Sequence, residues 1–167
     1  MTAPARGFTL LEIMVVLVLI GIMTSFALLS AGGGPKERLN EEARRLAALV
    51  ELHQQEAILS GELRGIQFSR TGYDILRQDE KGAWQSPAAA DALIGHRLPE
   101  GIALGLWIEG RPAPLNSRKP QVLLLASGEA TEFVAAFGLA DEQRPNAPLY
   151  RVAGDALGRL TVSEVTR

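Results

Sequence analysis

The chain has 167 residues, 47% of them hydrophobic and 22% charged, with no cysteine, enough for about one domain with one sizeable core. Lys and Arg number 17 against 19 Asp and Glu, a formal net charge of −2, which excludes a general electrostatic grip on nucleic acid; such a role would need a local basic patch. The missing cysteines remove disulfide scaffolds, thiol catalysis and thiolate zinc sites, and leave the compartment open.

Residues 8–29 read FTLLEIMVVLVLIGIMTSFALL, with Glu12 as the only ionisable side chain. At about 1.5 Å per residue a helix of this length crosses about 30 Å of hydrocarbon. A buried core helix would show a polar stripe, and here every face is apolar after Glu12. Such a segment is a secretory signal, a plain signal anchor, or a segment cut ahead of the apolar run. A charged, unpaired carboxylate in hydrocarbon costs a few kcal/mol, and neither of the first two has a use for one. Glu12 therefore reads as a functional group.

Arg6-Gly7-Phe8-Thr9-Leu10-Leu11-Glu12, followed by that run, resembles the class III signal of type IV pilins and type II secretion pseudopilins. The resemblance implies that residues 1–7 are a leader, that a prepilin peptidase cuts between Gly7 and Phe8, that Phe8 becomes N-methylated, and that Glu12 acts in assembly. The chemistry is compatible. Cleavage creates an α-amine with an ordinary pKa near about 8, which the Glu12 carboxylate of a neighbouring subunit could neutralise; a pairing within one helix, four residues apart, stays equally open. Charge counting points the other way, because only Arg6 and the initiator amine precede the run while Lys36, Arg38, Arg44 and Arg45 follow it, an arrangement that favours a cytoplasmic domain. Long domains cross largely regardless of such charges. The resemblance implies a single pass of the inner membrane with the carboxyl-terminal domain in the periplasm.

Residues 30–35, Ser-Ala-Gly-Gly-Gly-Pro, read as a hinge where a helix bends or frays. A helix is predicted over 36–60, with Leu39, Ala43, Leu46, Val50, His53 and Ala57 forming one stripe. Glu41, Glu42, Arg44, Arg45, Glu51, Gln55 and Glu56 fall largely outside it, and Gly61 is the expected stop. The stripe is most simply packing against a sheet. His53 on it reads as a buried imidazole with a hydrogen-bond partner, since His96 is the only other histidine and neither has metal-ligand spacing.

Beyond Gly61 the segments shorten and turn residues multiply. Strands are predicted at 65–69 and 73–78, joined as a hairpin across Arg70-Thr71-Gly72, and at 83–85, 96–98, 102–109, 121–126, 132–137, 149–153 and 159–163. About seven or eight strands, mostly antiparallel, are expected to form. Residues 87–93 read as a short helical turn, and 110–120, with three prolines, as a loop.

Three later stretches, Leu98-Pro99-Glu100-Gly101-Ile102, residues 122–133 (VLLLASGEATEF) and Asp155-Ala156-Leu157-Gly158-Arg159-Leu160, resemble the minor pseudopilin H family of type II secretion and the related FimT-like minor pilins. The fold implied is α+β and type IV pilin-like, a long amino-terminal helix packed on a mostly antiparallel sheet domain spanning 36–167. The implied partners are the prepilin peptidase, the minor pseudopilins I, J and K, the major pseudopilin G and the inner membrane. No enzyme motif is present: G-x-S-x-G, H-E-x-x-H and phosphate-binding glycine loops are all missing from the sequence. No catalytic residue, metal or cofactor is expected. Trp84, Trp107, Tyr73 and Phe133 read as core or interface rather than base-stacking platforms. Arg151, Arg159 and Arg167 make DNA capture by a minor pilin the alternative function, but Asp155 and Glu164 interleave them, and no nucleic-acid partner is expected.

Overall fold

The computed structural model describes residues 10–30, 34–86, 95–141 and 147–166. Gly7, Phe8 and the predicted helical turn at 87–93 lie outside them. The chain divides into two compact units, Met1–Gly34 and Pro35–Arg167.

In the first unit, α1 (Leu10–Ser30) is a helix whose only ionisable group is Glu12, in the first turn. In the second, α2 (Pro35–Ser60) begins on proline. Its fixed φ and missing N–H suit a first helical position, and Glu37 places negative charge near the positive end of the helix dipole. Of the expected break at 30–35, Ser30 thus belongs to α1 and Pro35 to α2. The helix ends where expected: Gly61, at φ 70°, donates its N–H to the Ala57 carbonyl at 3.0 Å, a left-handed cap that glycine adopts without a Cβ penalty.

Ten strands follow: β1 (Arg64–Ser69), β2 (Gly72–Gln78), β3 (Trp84–Gln85), β4 (Gly95–Arg97), β5 (Ile102–Ile108), β6 (Arg111–Pro112), β7 (Val122–Leu124), β8 (Phe133–Leu139), β9 (Pro148–Gly154) and β10 (Leu160–Thr166). They form two antiparallel sheets. One has the order β3-β2-β1-β7 with β4 also on β2; the other has the order β10-β9-β8-β5-β6. Nine match predicted strands. The tenth, β6, falls inside the stretch expected to be a loop: Ile108 pairs with Arg111 and Trp107 with Pro112 across a tight turn. Pro112 is tolerated because β6 is an edge, where a missing N–H leaves no ladder bond unmade.

The β1–β2 hairpin has Ser69 opposite Gly72 and Ile66 opposite Ile75. Its glycine is required by crowding, since a Cβ on Gly72 would stand 2.0 Å from the His96 carbonyl oxygen. β4 can lie beside β2 only because that atom is missing.

The core lies between α2 and the two sheets. α2 packs on β8, β9 and β10 of one sheet and on β1 and β7 of the other. All six residues of the predicted stripe are buried. Leu39, Leu46 and Val50 have lost essentially all contact with water, each worth about 1.5–3 kcal/mol by burial alone. Phe68 of β1 sits 6.0 Å from Tyr73 and 6.3 Å from Phe133, ring centre to ring centre, so an aromatic chain links the two sheets. Tyr73 and Phe133 are core as expected, whereas Trp107 remains 37% exposed.

Candidate functional site

The described side chains of α1, those of residues 10–25, are exposed on every face: Leu10 is 79% exposed and Met23 73%. A shallow apolar groove of about 350 Å³ runs along Leu11, Met14, Val15, Val18 and Leu19. Such a surface cannot be stable in water at this extent and calls for lipid or other helices. Its polar groups are satisfied internally. Thr24 Oγ1 donates to the Ile20 carbonyl at 2.7 Å and Ser25 Oγ to the Gly21 carbonyl at 2.8 Å, so neither hydroxyl would enter an apolar medium with its hydrogen unpaired. Glu12, within the first turn, places one carboxylate at the amino-terminal end of this surface. Among the described residues no helix is long and apolar enough to cross a membrane; the side chains described in α1 are those of 10–25, and the segment 8–29 begins and ends outside them.

The second unit carries three polar clusters where α2 meets the sheets. His53 is buried, with Nδ1 2.8 Å from Glu56 Oε2, the partnered imidazole that the sequence suggests. Arg64 of β1 is ion-paired to the same carboxylate oxygen and brings Nη1 within 3.0 Å of Nδ1. Carboxylates only accept and arginines only donate, so a proton on Nδ1 goes to Glu56, and the arginine reaches the histidine as a neighbour rather than as a donor.

Glu42 is the residue that sequence reasoning places wrongly. It belongs among the side chains outside the stripe, yet it is only 5% exposed. Positions 42, 46, 49 and 53 make a second row beside the predicted one, and Leu49 is buried on it as well. Burial is tolerated because His96 of β4 brings Nε2 to 2.7 Å from Glu42 Oε2, with Arg45 Nε 4.0 Å from the other oxygen. The His96 ring lies 5.6 Å from that of Tyr73. Burial first, then the Glu42 carboxylate, hold the Tyr73 hydroxyl above its ordinary pKa, against the opposing pull of Arg45. The pairing of residues 54 positions apart has no local signal; a carboxylate four residues ahead of a stripe leucine is the only hint.

At the start of α2, Lys36 Nζ meets Glu164 Oε1 of β10 at 2.8 Å, and Tyr150 Oη lies 3.3 Å from Glu164 Oε2. The hydrogen bond between them raises the pKa of Lys36 and lowers that of Glu164. None of these clusters gathers three metal-ligating side chains among the described residues. They tie elements together, and a polar cavity of about 340 Å³ lies beside the second of them, lined by Ser69, Thr71, Tyr73, Asp74, His96 and Arg97 among others. Arg159 is held by Asp155, with Nε 2.8 Å from Oδ2, and Arg151 Nε donates to Ser163 Oγ at 2.9 Å; Arg167, the third arginine of that reading, lies outside the described residues.

Residues 3–28 match the prokaryotic N-terminal methylation motif. The type II secretion system protein H of Pseudomonas aeruginosa is 39% identical over 141 residues, covering 77% of this chain and 80% of that protein. The protein of the same name from Aeromonas hydrophila is 30% identical over 168 residues, covering 92% and 91%, and that from Escherichia coli K12 is 36% identical over 132 residues, covering 77% and 78%. The solution structure of Escherichia coli GspH superposes with a TM-score of 0.62 at 26% identity, covering 79% of this chain and 91% of that one. A crystal structure of the minor pseudopilin EpsH of Vibrio cholerae has the same fold, with a TM-score of 0.67 at 20% identity, covering 78% and 98%.

Proposed function

The chain belongs to the type II secretion system protein H family, and we propose on that premise that it is made as a precursor, cut between Gly7 and Phe8, methylated on the new Phe8 amine, and assembled through Glu12 as a minor pseudopilin. The observation that carries this is one continuous stretch. The methylation motif at 3–28 runs into a helix that is apolar on all sides and keeps one carboxylate, Glu12, in its first turn. Residues 8–29 anchor the protein in the inner membrane before assembly, and 36–167 form the periplasmic domain.

In the membrane the Glu12 carboxylate and a Phe8 amine are each costly alone. Together at about 4 Å, in an effective dielectric of about 20, they attract by roughly 4 kcal/mol before desolvation. A subunit entering the filament brings its amine to a carboxylate already there, and the apolar faces of α1 replace lipid with neighbouring helices. The partners are the prepilin peptidase, the minor pseudopilins I, J and K and the major pseudopilin G. The filament drives folded proteins out through the outer membrane mechanically, and this chain catalyses nothing. DNA binding as a minor pilin is not favoured: the relatives carry the secretion name, and Arg151 and Arg159 are engaged by Ser163 and Asp155.

Intact-mass and amino-terminal mass spectrometry of the protein from its membranes test the processing. The expected product starts at methylated Phe8, and Gly7→Leu leaves the full precursor in the membrane. A wild-type chain that keeps residues 1–7 in a secreting cell would sink the proposal.

A further inference from the structure

Outside α1, four large apolar side chains are exposed among the described residues, and three of them, Ile58, Leu59 and Leu157, gather at the carboxyl-terminal end of α2. Two turns hold them together. Gln54 Nε2 donates to the Gly128 carbonyl at 2.7 Å. A Cβ on Gly128 would touch Ile58 Cδ1 at 3.5 Å, and one on Gly158 would collide with Gln54 and with the Gly128 carbonyl. The glycines let both turns close against the last turns of the helix, which places the turn that carries Leu157 at the same end of α2 as Ile58 and Leu59. At 86%, 64% and 49% exposure for Leu59, Leu157 and Ile58, the patch contributes nothing to the core.

Its charge is one-sided. α2 has no basic residue in its last turn, although the negative end of the helix dipole favours one there. Glu51, two turns before Ile58, and Glu129, next to Gly128, are exposed and are absent from the ion pairs of the described residues. Glu56, Glu62 and Asp155 nearby are matched by Arg64, Arg77 and Arg159. The surplus around the patch is therefore negative.

We propose that this end of α2 is a docking surface for a different pilin-like subunit, one that presents apolar side chains accompanied by Lys or Arg. The proposal rests on the filament-subunit reading above and specifies one of its contacts. A second copy docked about a two-fold axis would set this patch, with Glu51 and Glu129, against the same patch of its partner, a like-charge arrangement that interfaces avoid. An anionic lipid surface is repelled by the same carboxylates. A basic and apolar partner satisfies both features at once.

The test is photo-cross-linking of the full-length chain in secreting cells, with a photoreactive residue in place of Gln55 or Ala156, which border the patch, or of Leu19 on α1 as a reporter of filament contact. Adducts from 55 and 156 to another pilin-like subunit, at a peptide containing Lys or Arg, are expected. Leu59→Ser combined with Leu157→Ser should lower their yield at least about fivefold, as should Glu51→Lys combined with Glu129→Lys, with the yield from position 19 unchanged. The proposal fails if 55 and 156 give no adduct, give only lipid or a second copy, or keep their yield in both double variants while position 19 still reports contact. If position 19 gives no subunit adduct either, the filament reading fails and the proposal falls with it.

Discussion

Two helices of this chain, similar in length, handle their apolar residues in opposite ways. α2 sets them in a stripe that meets two sheets of the same chain, and all six stripe residues are buried. α1 has them on every face, and those described, from Leu10 to Met23, are exposed. The contrast shows where each helix finds its partner. A 3.6-residue period points to a surface supplied by the fold, whereas an apolar surface without a period points outward, to lipid or other subunits. Substitutions in the two helices and their surroundings should therefore report on different properties.

The largest effect should come from the bridge between the sheets. Phe68→Ala empties a fully buried site between Tyr73 and Phe133 and should cost about 3–5 kcal/mol of unfolding free energy. Leu17→Ala on exposed α1 should change it by no more than about 0.5 kcal/mol. Denaturant titration of the full chain in detergent, followed by the near-UV signal of the sheet domain, checks both; equal losses would break the contrast.

Gly72→Ala comes next, because its Cβ would stand 2.0 Å from the His96 carbonyl oxygen and must displace β4. Roughly 2 kcal/mol is expected, along with loss of hydrogen-exchange protection at the Leu98 amide, which bonds the Thr71 carbonyl at 2.9 Å. A smaller change of opposite sign is expected for Tyr73→Phe. The Tyr73 hydroxyl is buried with no hydrogen-bond partner among the described residues, and removing it should stabilise by about 1 kcal/mol. A loss of stability would show that the hydroxyl is bonded in solution.

The smallest effect belongs to the exposed pair Lys36 and Glu164, and its signature is its pH dependence. The folded pKa of Glu164 lies below its ordinary 4.5, so its contribution is present above that value and lost as the pH falls through the folded one. Lys36 is raised above 10.5, so its contribution is complete below that value and lost as the pH rises through the folded one. Glu164→Gln should lower the melting temperature by no more than about a degree or two at neutral pH. The difference from wild type should close in acid. A difference that persists at pH 2 would mean that the carboxylate charge is not its source.

Local pattern made much of this architecture readable. The stripe of α2, the cap at Gly61 and the hairpin of β1 and β2 each rest on residues within a few positions of one another, and all three stand where the sequence puts them. What the sequence hides is set by distant neighbours. Glu42 looks solvent-facing until β4 arrives with His96, and β6 looks like loop because Pro112 signals an edge as readily as a turn. The end of α2 is similar: Leu59 and Leu157 are ordinary apolar letters, and only the closing of two glycine turns on Gln54 and Ile58 brings the segment of Leu157 to that end of the helix. Glu12, the proposed assembly residue, stands within the first turn of α1, and the sequence singles it out because a lone carboxylate in an apolar run is costly without a use.

The central claim is that α1 serves association while Pro35–Arg167 folds on contacts of its own, and Glu12→Val tests it most directly. The more apolar helix should still insert and be processed, and the sheet domain should melt as in wild type. Cross-linking to the other pseudopilins, read on the same membranes with Leu19 as the probe position, should be lost, and an isosteric Glu12→Gln chain should behave like the valine variant if charge pairing is the mechanism. Wild-type cross-linking by Glu12→Val would contradict the account and take the assembly role away from this carboxylate.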